Sequence, residues 1–502
     1  MTATTALTLL ITIPIAASPL IYMVGRLSLP RSKRKSPNSP SRWLALIAIL
    51  IDSIPLYYVI QYFRGHGPIE ASVKGIRISM DGIGLVMAVA VWVLGTLVLL
   101  FSCNYMANET NEEKFYALLI AMIGTIMGLG CAADLFNLWV WFEAMAIASY
   151  MLVSFYRKQP ASLEAGIKYL IQSATGSALV LFGIALTYMA SGTTSLSAIK
   201  SAAGSSPLLI ACGALFVIGF GVKTALVPLH TWLPDAHSQA PSGISAMLSG
   251  IVIEAGLIAM LRSLSVICLS CTDWGIFIMV FAALNMLVGN LMALRQNQVK
   301  RLLAYSSVSH MGYMLLGIGI AVSTGIENGA IGAFFHLFNH MLMKGLAFLS
   351  AGALLFALHI ARKDHGPLVL NDLNGVSKRY PLTAFCFSVA LLALGGLPPL
   401  AGFMSKWQIF VAGAQTKDTL IIILIVFAAL NSVLSLGYYA PLINRIYRKQ
   451  PSNIIIEGKD LSLTMTLPLI VMTLAVAVIG IYPTLMSWLT QPAGSALLIM
   501  FK

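Results

Sequence analysis

Long apolar stretches, most of them near the length of a membrane-spanning helix, recur along the whole chain and alternate with short polar segments. A helix needs about 20 apolar residues to cross the hydrocarbon core of a bilayer. Lipid offers the backbone no hydrogen-bond partners, so such stretches form helices. The pattern predicts an all-α polytopic membrane protein. About fourteen transmembrane spans are expected, near residues 5–25, 41–62, 80–103, 116–132, 134–155, 164–191, 207–231, 240–262, 276–295, 302–322, 326–358, 382–412, 418–446 and 461–490.

Composition agrees with this pattern, because 58% of the residues are hydrophobic and only 10% are charged, against about 25% charged in a typical soluble chain. The net charge of +13 does not indicate nucleic-acid binding, since the basic residues lie in loops and form no single patch. No basic segment precedes the first apolar stretch, so we expect a retained span and not a cleaved signal peptide.

The loops differ strongly in positive charge. If the N-terminus lies outside, 20 of the 31 Lys and Arg residues fall on the inner side, 7 on the outer side and 4 within spans. Inner loops carry the excess of basic residues in membrane proteins. The chain is therefore expected in the cell inner (plasma) membrane with both termini on the outer side.

A few ionisable residues lie deep within apolar spans, among them Glu143, Lys223 and Lys406. A charge at the centre of a bilayer costs roughly 2.5–3.5 kcal/mol on insertion scales, so such residues mark ion pathways. Lys168 lies near the start of its span. An equal alternative to a pathway role is therefore that its side chain extends back to the membrane surface. Each of the others also has the alternative of a buried group paired for structure.

Further titratable side chains accompany them. His336, His340 and Lys344 follow one another at four-residue spacing and share one face of a helix. Glu254 lies deep in the eighth span. An alternating series of Glu, Lys and His side chains is typical of a proton relay.

Two of the lysines lie beside helix breakers. Pro228 follows Lys223 in span seven, and Pro398 and Pro399 precede Lys406 in span twelve. The spans are five apart, and a repeat of an odd number of helices must be inverted in the membrane. Broken helices at corresponding positions of inverted repeats indicate a transport site. We therefore divide the chain into spans one to three (1–103), two inverted five-helix repeats (104–262 and 263–446) and the last span (447–502).

The sequence contains no phosphate-binding glycine loop, nucleophile elbow or metal-ligand spacing, so we predict no catalytic residues, metal or cofactor in this chain. Cys268 and Cys271 form a C-x-x-C pair without further ligands nearby. His230, Asp235 and His237 lie in a proline-interrupted turn, which predicts a polar channel mouth and not a metal site.

Five long segments, at 134–143, 223–237, 240–249, 300–307 and 395–402, carry a family resemblance. They resemble the antiporter-like proton-translocating membrane subunits of respiratory complex I, of the multisubunit (Mrp) cation/proton antiporters and of the membrane-bound hydrogenases. The similarity covers roughly residues 75 to 450. It implies that Glu143 and Lys223 form the pair that modulates proton uptake, and that Lys406 serves an exit half-channel. It also implies a polar axis on the eleventh span.

One residue departs from the family pattern. Glu254 stands where many members have a central lysine, so the charge is inverted. Glu254 can still relay a proton, because a carboxyl group titrates as an amine does. Alternatively, it pairs with Lys223 or Lys344 and changes their pKa values, or it indicates that a different ion is transported.

The resemblance implies other membrane subunits as partners and protons as the cargo, and it leaves Na⁺ open. Lysine at 406 and the absence of an amphipathic helix after the last span favour three types: the D-type component of the Mrp antiporters, its hydrogenase equivalent or a similarly arranged complex I type. The sequence does not choose among them. Two alternatives stay open: a stand-alone secondary transporter of a cation or solute, and a structural membrane subunit without an ion path.

Overall fold

The computed structural model describes residues 1–28, 39–73, 75–107, 109–202, 207–267, 274–362, 366–448, 450–451 and 453–501. Cys268 and Cys271 lie outside the described residues. The described chain forms a bundle of helices with one short hairpin. In chain order the α-helices are α1 (Ala3–Ser28), α2 (Pro40–His66), α3 (Gly82–Tyr105), α4 (Glu112–Gly130), α5 (Leu135–Val153), α6 (Pro160–Ser191), α7 (Leu196–Ala202), α8 (Pro207–Thr224), α9 (Trp232–Gln239), α10 (Ser242–Met247), α11 (Ile253–Ser265), α12 (Trp274–Leu294), α13 (Val299–Thr324), α14 (Glu327–Arg362), α15 (Pro381–Gly395), α16 (Ala401–Gln415), α17 (Thr419–Arg448), α18 (Asn453–Ile456), α19 (Leu463–Ile481) and α20 (Ser487–Phe501).

Length and composition confirm the all-α polytopic class. Within the described ranges, 12 helices are long and apolar enough to cross a membrane, and α8 and α15 are shorter apolar helices. One of the 12 joins α10 and α11 through a π-helical turn at Leu248–Val252. The total number of spans stays a prediction, because it depends on how the shorter helices are counted.

The interior of the bundle is organised around α14. This helix contacts α3, α10, α13, α15, α16, α19 and α20, and it is buried along its apolar length, as is the helix at Ser242–Ser265. By contrast, fewer than a third of the residues in the most apolar parts of α1 and α17 are buried. Polar residues on α14 and α11 are therefore shielded from lipid by other helices, which is where ionisable groups are tolerated in membrane proteins.

A short hairpin interrupts the helical pattern between α2 and α3. Strand β1 (Ile69–Val73) pairs antiparallel with β2 (Ile76–Met80), with Ile69 opposite Met80. Its turn includes Gly75 at φ 86°, a conformation that glycine adopts without steric cost. The sequence indicated only a polar connection here, although apolar residues alternate with polar ones along β2.

The last predicted span, 461–490, is two helices. Helix α19 ends at Ile481, a 3-10 turn covers Pro483–Met486, and α20 begins at Ser487. Pro483 has no backbone N–H and disfavours helical conformation in the residue before it, so the helix ends there.

The chain is also interrupted beside both lysines predicted to lie at breaks. Helix α8 ends at Thr224 and α9 begins at Trp232, and α15 ends at Gly395 before α16 begins at Ala401. The first interruption contains Pro228 and the second contains Pro398 and Pro399. Their depth in a bilayer stays a prediction.

Candidate ion pathway

Lys223 lies at the end of α8, and its side chain is 1% exposed. Its Nζ donates a hydrogen bond to the Tyr169 hydroxyl at 2.7 Å and lies 3.5 Å from the Ser173 hydroxyl. Both acceptors are on α6, which packs along α8. No pattern in the sequence indicated Tyr169, because a tyrosine in an apolar helix carries no charge to mark it.

Glu143 lies on α5, half-buried, and the described structure has no direct ion pair between Glu143 and Lys223. Its Oε1 is buried without a hydrogen-bond partner among the described residues. The preceding Phe142 packs edge-on against Phe220 of α8, with ring centroids 5.0 Å apart. The two helices therefore touch through these rings, and water-mediated pairing of the two charges stays a prediction.

Side chains satisfy backbone groups that the interruption after α8 frees. The Trp232 indole donates to the Val222 carbonyl at 2.7 Å. Asn285 of α12 accepts from the Val227 N–H at 2.8 Å and donates to the Ala225 carbonyl at 3.1 Å. Such partners are required wherever irregular backbone lies away from water.

Glu254 is fully buried on α11, directly after the π-helical turn. Its Oε1 lies 2.8 Å from His340 Nδ1 on α14. A lipid-facing position, which would remove Glu254 from any relay, is therefore excluded. π-helical turns occur mostly as single insertions in α-helices and often at functional sites; no pattern in the sequence marked this one.

His310 of α13 connects the two histidines of α14. Its Nδ1 lies 3.0 Å from His336 Nε2, and its ring centroid is 5.3 Å from that of His340. All three rings are buried. His310 is not among the residues predicted from the sequence, although an ionisable residue within the span predicted at 302–322 was a usable signal.

The row continues to the second interruption. His336 Nδ1 lies 2.9 Å from the hydroxyl of Ser405, the residue before Lys406. Lys406 Nζ donates to the Leu394 carbonyl at 3.1 Å and to the Ser432 hydroxyl at 2.9 Å. Leu394 is in the last turn of α15, where carbonyls lack intrahelical donors. We call the following set the central row: Glu254, His340, His310, His336, Ser405 and Lys406.

Lys344 is buried on α14 and bonds to α13 at residues other than His310. Its Nζ donates to the Leu303 carbonyl of α13 at 2.8 Å and to the Ser306 hydroxyl. Ser306 in turn shares a hydrogen bond with Tyr439 of α17. Lys344 therefore begins a branch beside the central row.

The three residues predicted at a channel mouth are separated. Asp235 is partly exposed and pairs with Lys168 at 3.2 Å and with Arg301 at 2.5 Å. His237 is fully buried and stacks on Phe348, with ring centroids 4.8 Å apart. His230 is also buried. Of the three, only Asp235 reaches the surface.

The chemistry of the central row suits proton transfer. Imidazole rings accept a proton on one nitrogen while the other donates, and carboxyl and amine groups end the series. Among the described residues, no group of three or more His, Cys, Asp and Glu side chains is arranged to hold a metal ion. In the described structure, hydrogen-bond distances join Glu254 to His340, His310 to His336 and His336 to Ser405, whereas His310 and His340 approach each other through their rings.

Comparison with known proteins gives the family. Residues 132–432 match the model described as "NADH:quinone oxidoreductase/Mrp antiporter, TM", and residues 73–116 match the N-terminal model of complex I chain 5. F(420)H(2) dehydrogenase subunit N of Methanosarcina mazei is 33% identical over 421 residues, 81% of this chain and 82% of the relative.

A second relative matches nearly end to end. NADH-quinone oxidoreductase subunit N of Desulfitobacterium hafniense is 31% identical over 496 residues, 95% of each chain. Among solved structures, a chain of the membrane-bound sulfane sulfur reductase, an archaeal respiratory membrane complex, superposes with a TM-score of 0.87 at 27% identity, covering 98% of this chain and 97% of that one. This chain belongs to the NADH:quinone oxidoreductase/Mrp antiporter family of membrane subunits.

Proposed function

We propose that this chain is a proton-translocating, antiporter-like subunit that moves protons through buried Glu, Lys and His side chains. The observation that carries the proposal is the central row, in which contacts of 2.8, 3.0 and 2.9 Å join Glu254 to His340, His310 to His336 and His336 to Ser405. Proton hopping needs polar groups within a hydrogen bond or a bridging water of one another.

The two ends of the pathway differ in their partners. At one end, Lys223 and Glu143 take up a proton. Lys223 also packs closely against Gly256 of α11, because a Cβ added to that glycine would lie 3.0 Å from the Lys223 Cβ. At the other end, Lys406 releases the proton beside the second interruption. Lys344, which bonds to Leu303 and Ser306, adjusts the electrostatic potential beside the central row. Asp235 marks the surface of the uptake side, with His230 and His237 between it and the interior.

The relatives suggest the setting. They include subunits N of an NADH-quinone oxidoreductase and of an F(420)H(2) dehydrogenase, and the superposed structure is a respiratory membrane complex. We infer that this chain works among other membrane subunits of a redox-driven complex in the cell inner membrane, with both termini outside. The two predicted inverted repeats, 104–262 and 263–446, then each contribute one interrupted helix with a buried lysine beside the interruption.

Substitution of Lys406 in the intact complex tests this function. Lys406→Gln keeps a polar side chain but cannot carry a proton, so proton uptake by reconstituted vesicles, followed with a pH-sensitive dye, is expected to fall by about tenfold or more. Lys417→Gln is the matched control, because Lys417 is exposed just after the same helix. Unchanged proton uptake in an assembled Lys406→Gln complex would contradict the proposal.

A further inference from the structure

Three aromatic rings from three separate elements surround the Lys223 ammonium. The Nζ lies 4.3 Å from the ring centroid of Tyr169 on α6, 5.8 Å from that of Phe142 on α5 and 6.0 Å from that of Trp232 on α9. Cations within about 6 Å of an aromatic centroid are attracted by the negative face of the ring. We call Phe142, Tyr169 and Trp232 the aromatic cage.

The cage holds Lys223 by a hydrogen bond as well as by its rings. The Tyr169 hydroxyl accepts from Nζ at 2.7 Å, the shortest polar contact that Lys223 makes in the described structure. Glu143 follows Phe142 directly in the chain, yet it makes no ion pair with Lys223. The lysine therefore occupies a position defined by aromatic groups and a hydroxyl, beside a carboxylate that it does not contact.

We propose that the aromatic cage is a second resting position for the Lys223 ammonium, and that Tyr169 is the positioning residue that holds it away from Glu143. This inference rests on the proposed proton translocation and names a further state of the same site. Lys223 then alternates between two partners: the carboxylate of Glu143, which takes part in proton uptake, and the cage, which keeps the ammonium apart from that carboxylate.

The cage also depends on the interrupted helix. Trp232 is the first residue of α9, and its ring stacks on that of Tyr169 with centroids 3.9 Å apart and planes 3° from parallel. Its indole N–H bonds to the carbonyl of Val222, the residue before Lys223. The cage is therefore complete only when α9 is docked against the end of α8 and against α6.

A charged contact at the surface holds the same helix. Asp235 of α9 pairs with Lys168, the residue before Tyr169, and with Arg301 of α13. Movement of α9 would thus withdraw Trp232 from the cage and loosen the contact that aligns Tyr169. The position of the interrupted helix and the partner of Lys223 are linked through these neighbouring residues.

Removal of one hydroxyl tests the cage. Tyr169→Phe keeps the ring but removes the acceptor, so Lys223 is expected to shift to Glu143 and form an ion pair that is slow to open. A hydrogen bond to a charged group is strong enough for its loss to change a rate by about tenfold. We expect proton uptake by vesicles containing the assembled complex to fall by about that factor, and a structure of the variant to show Nζ within ion-pair distance of Glu143.

Tyr150→Phe is the matched control for the loss of a hydroxyl. Tyr150 packs edge-on against Tyr169 with ring centroids 6.3 Å apart, and no bond from its hydroxyl to Lys223 is present in the described structure. This substitution is expected to leave proton uptake unchanged. A loss equal to that of Tyr169→Phe would show that general packing of α5 and α6 is responsible and would overturn the inference.

A second substitution separates positioning from a structural role. Glu143→Asp shortens the carboxylate side chain and weakens its ion pair with Lys223. In an otherwise wild-type protein it should therefore lower the rate of proton uptake, but in the Tyr169→Phe variant it should partly restore that rate. If Tyr169 only supported the fold, the two losses would simply combine. Combined losses, or an unmoved Lys223 in the structure of Tyr169→Phe, would overturn the cage proposal.

Lys223→Ala distinguishes failure of the inference from failure of the proposed function. That substitution removes the proton carrier itself and is expected to abolish proton uptake whatever residue occupies position 169. Normal uptake in Lys223→Ala would contradict the proposed function. Loss of uptake in Lys223→Ala together with normal uptake in Tyr169→Phe would contradict the cage alone.

Discussion

Glu254 and His340 form a hydrogen-bonded pair with no exposed side-chain surface on either residue. Removing one partner of a buried charged pair leaves the other without compensation, which costs several kcal/mol. The remaining polar atoms of the pair, Glu254 Oε2 and His340 Nε2, have no hydrogen-bond partner among the described residues. Each of these atoms can form one more hydrogen bond. A residue that relays protons needs such a second bond, because it must receive the proton from one partner and pass it to another.

Substitutions at Glu254 separate a relay from a structural role. Glu254→Gln keeps the shape and a hydrogen bond to His340 but cannot titrate, so proton uptake per substrate oxidised is expected to fall by about tenfold or more. Glu254→Asp keeps the carboxyl group and should retain part of the uptake. The measurement is dye-reported uptake in vesicles at matched electron-transfer rates.

Asp52 provides the control for burial of a carboxyl group. It is fully buried on α2, outside the central row. Asp52→Asn is expected to leave proton uptake per substrate unchanged, even where stability changes. Equal losses in Glu254→Gln and Asp52→Asn would show that buried carboxyl groups support the fold and not the pathway.

The sequence predicted the charged members of the site better than the neutral ones. Lys223, Glu254 and Lys406 stand out because a charge in an apolar span is costly and needs an explanation. Tyr169 carries no charge, and its role depends on how α6 packs against α8. Periodicity within one segment contains no information about such packing, so the cage became visible only in three dimensions.

At the scale of elements, one side chain of α12 bonds to backbone groups at the interruption after α8. Asn285 is fully buried and bonds to Val227, Ala225 and Val308. Asn285→Leu fills a similar volume but leaves buried backbone groups without hydrogen-bond partners. Each such group lowers the free energy of unfolding by about 1–3 kcal/mol. The variant complex is expected to unfold at a lower temperature in detergent, measured by the exposure of buried cysteines.

Leu287→Ala provides the comparison on the same helix. Leu287 is 39% exposed on the outer face of α12, so its truncation should have a small effect. If Asn285→Leu were no less stable than Leu287→Ala, the interruption would not depend on the asparagine.

Element types followed from hydrophobic runs, but short irregular features did not. Runs near 20 residues predicted the long helices because the thickness of the membrane fixes their length. The strands β1 and β2, the π-helical turn and α9 are each eight residues or shorter. Elements of this size are stabilised by neighbouring packing more than by their own sequence, so their prediction needs the surrounding structure.

For the whole molecule, the orientation can be measured. Ser72 in the hairpin is expected outside and Lys158, between α5 and α6, inside. In a background whose native cysteines are replaced, Ser72→Cys should react with a membrane-impermeant maleimide in intact cells. Lys158→Cys should react only after the membrane is opened. The reverse labelling pattern would show that the orientation is wrong.

The identity of residue 254 also has an electrical consequence. When Glu254 and His340 share one titratable proton, the pair carries no net charge, whereas a protonated lysine at position 254 would carry a positive charge. Moving one elementary charge through a potential of 100 mV is worth about 2.3 kcal/mol. Under the proposed relay, the membrane voltage then acts at this point on the transferred proton and not on a charge already present at position 254. The electrical work of such a step is that of moving one proton.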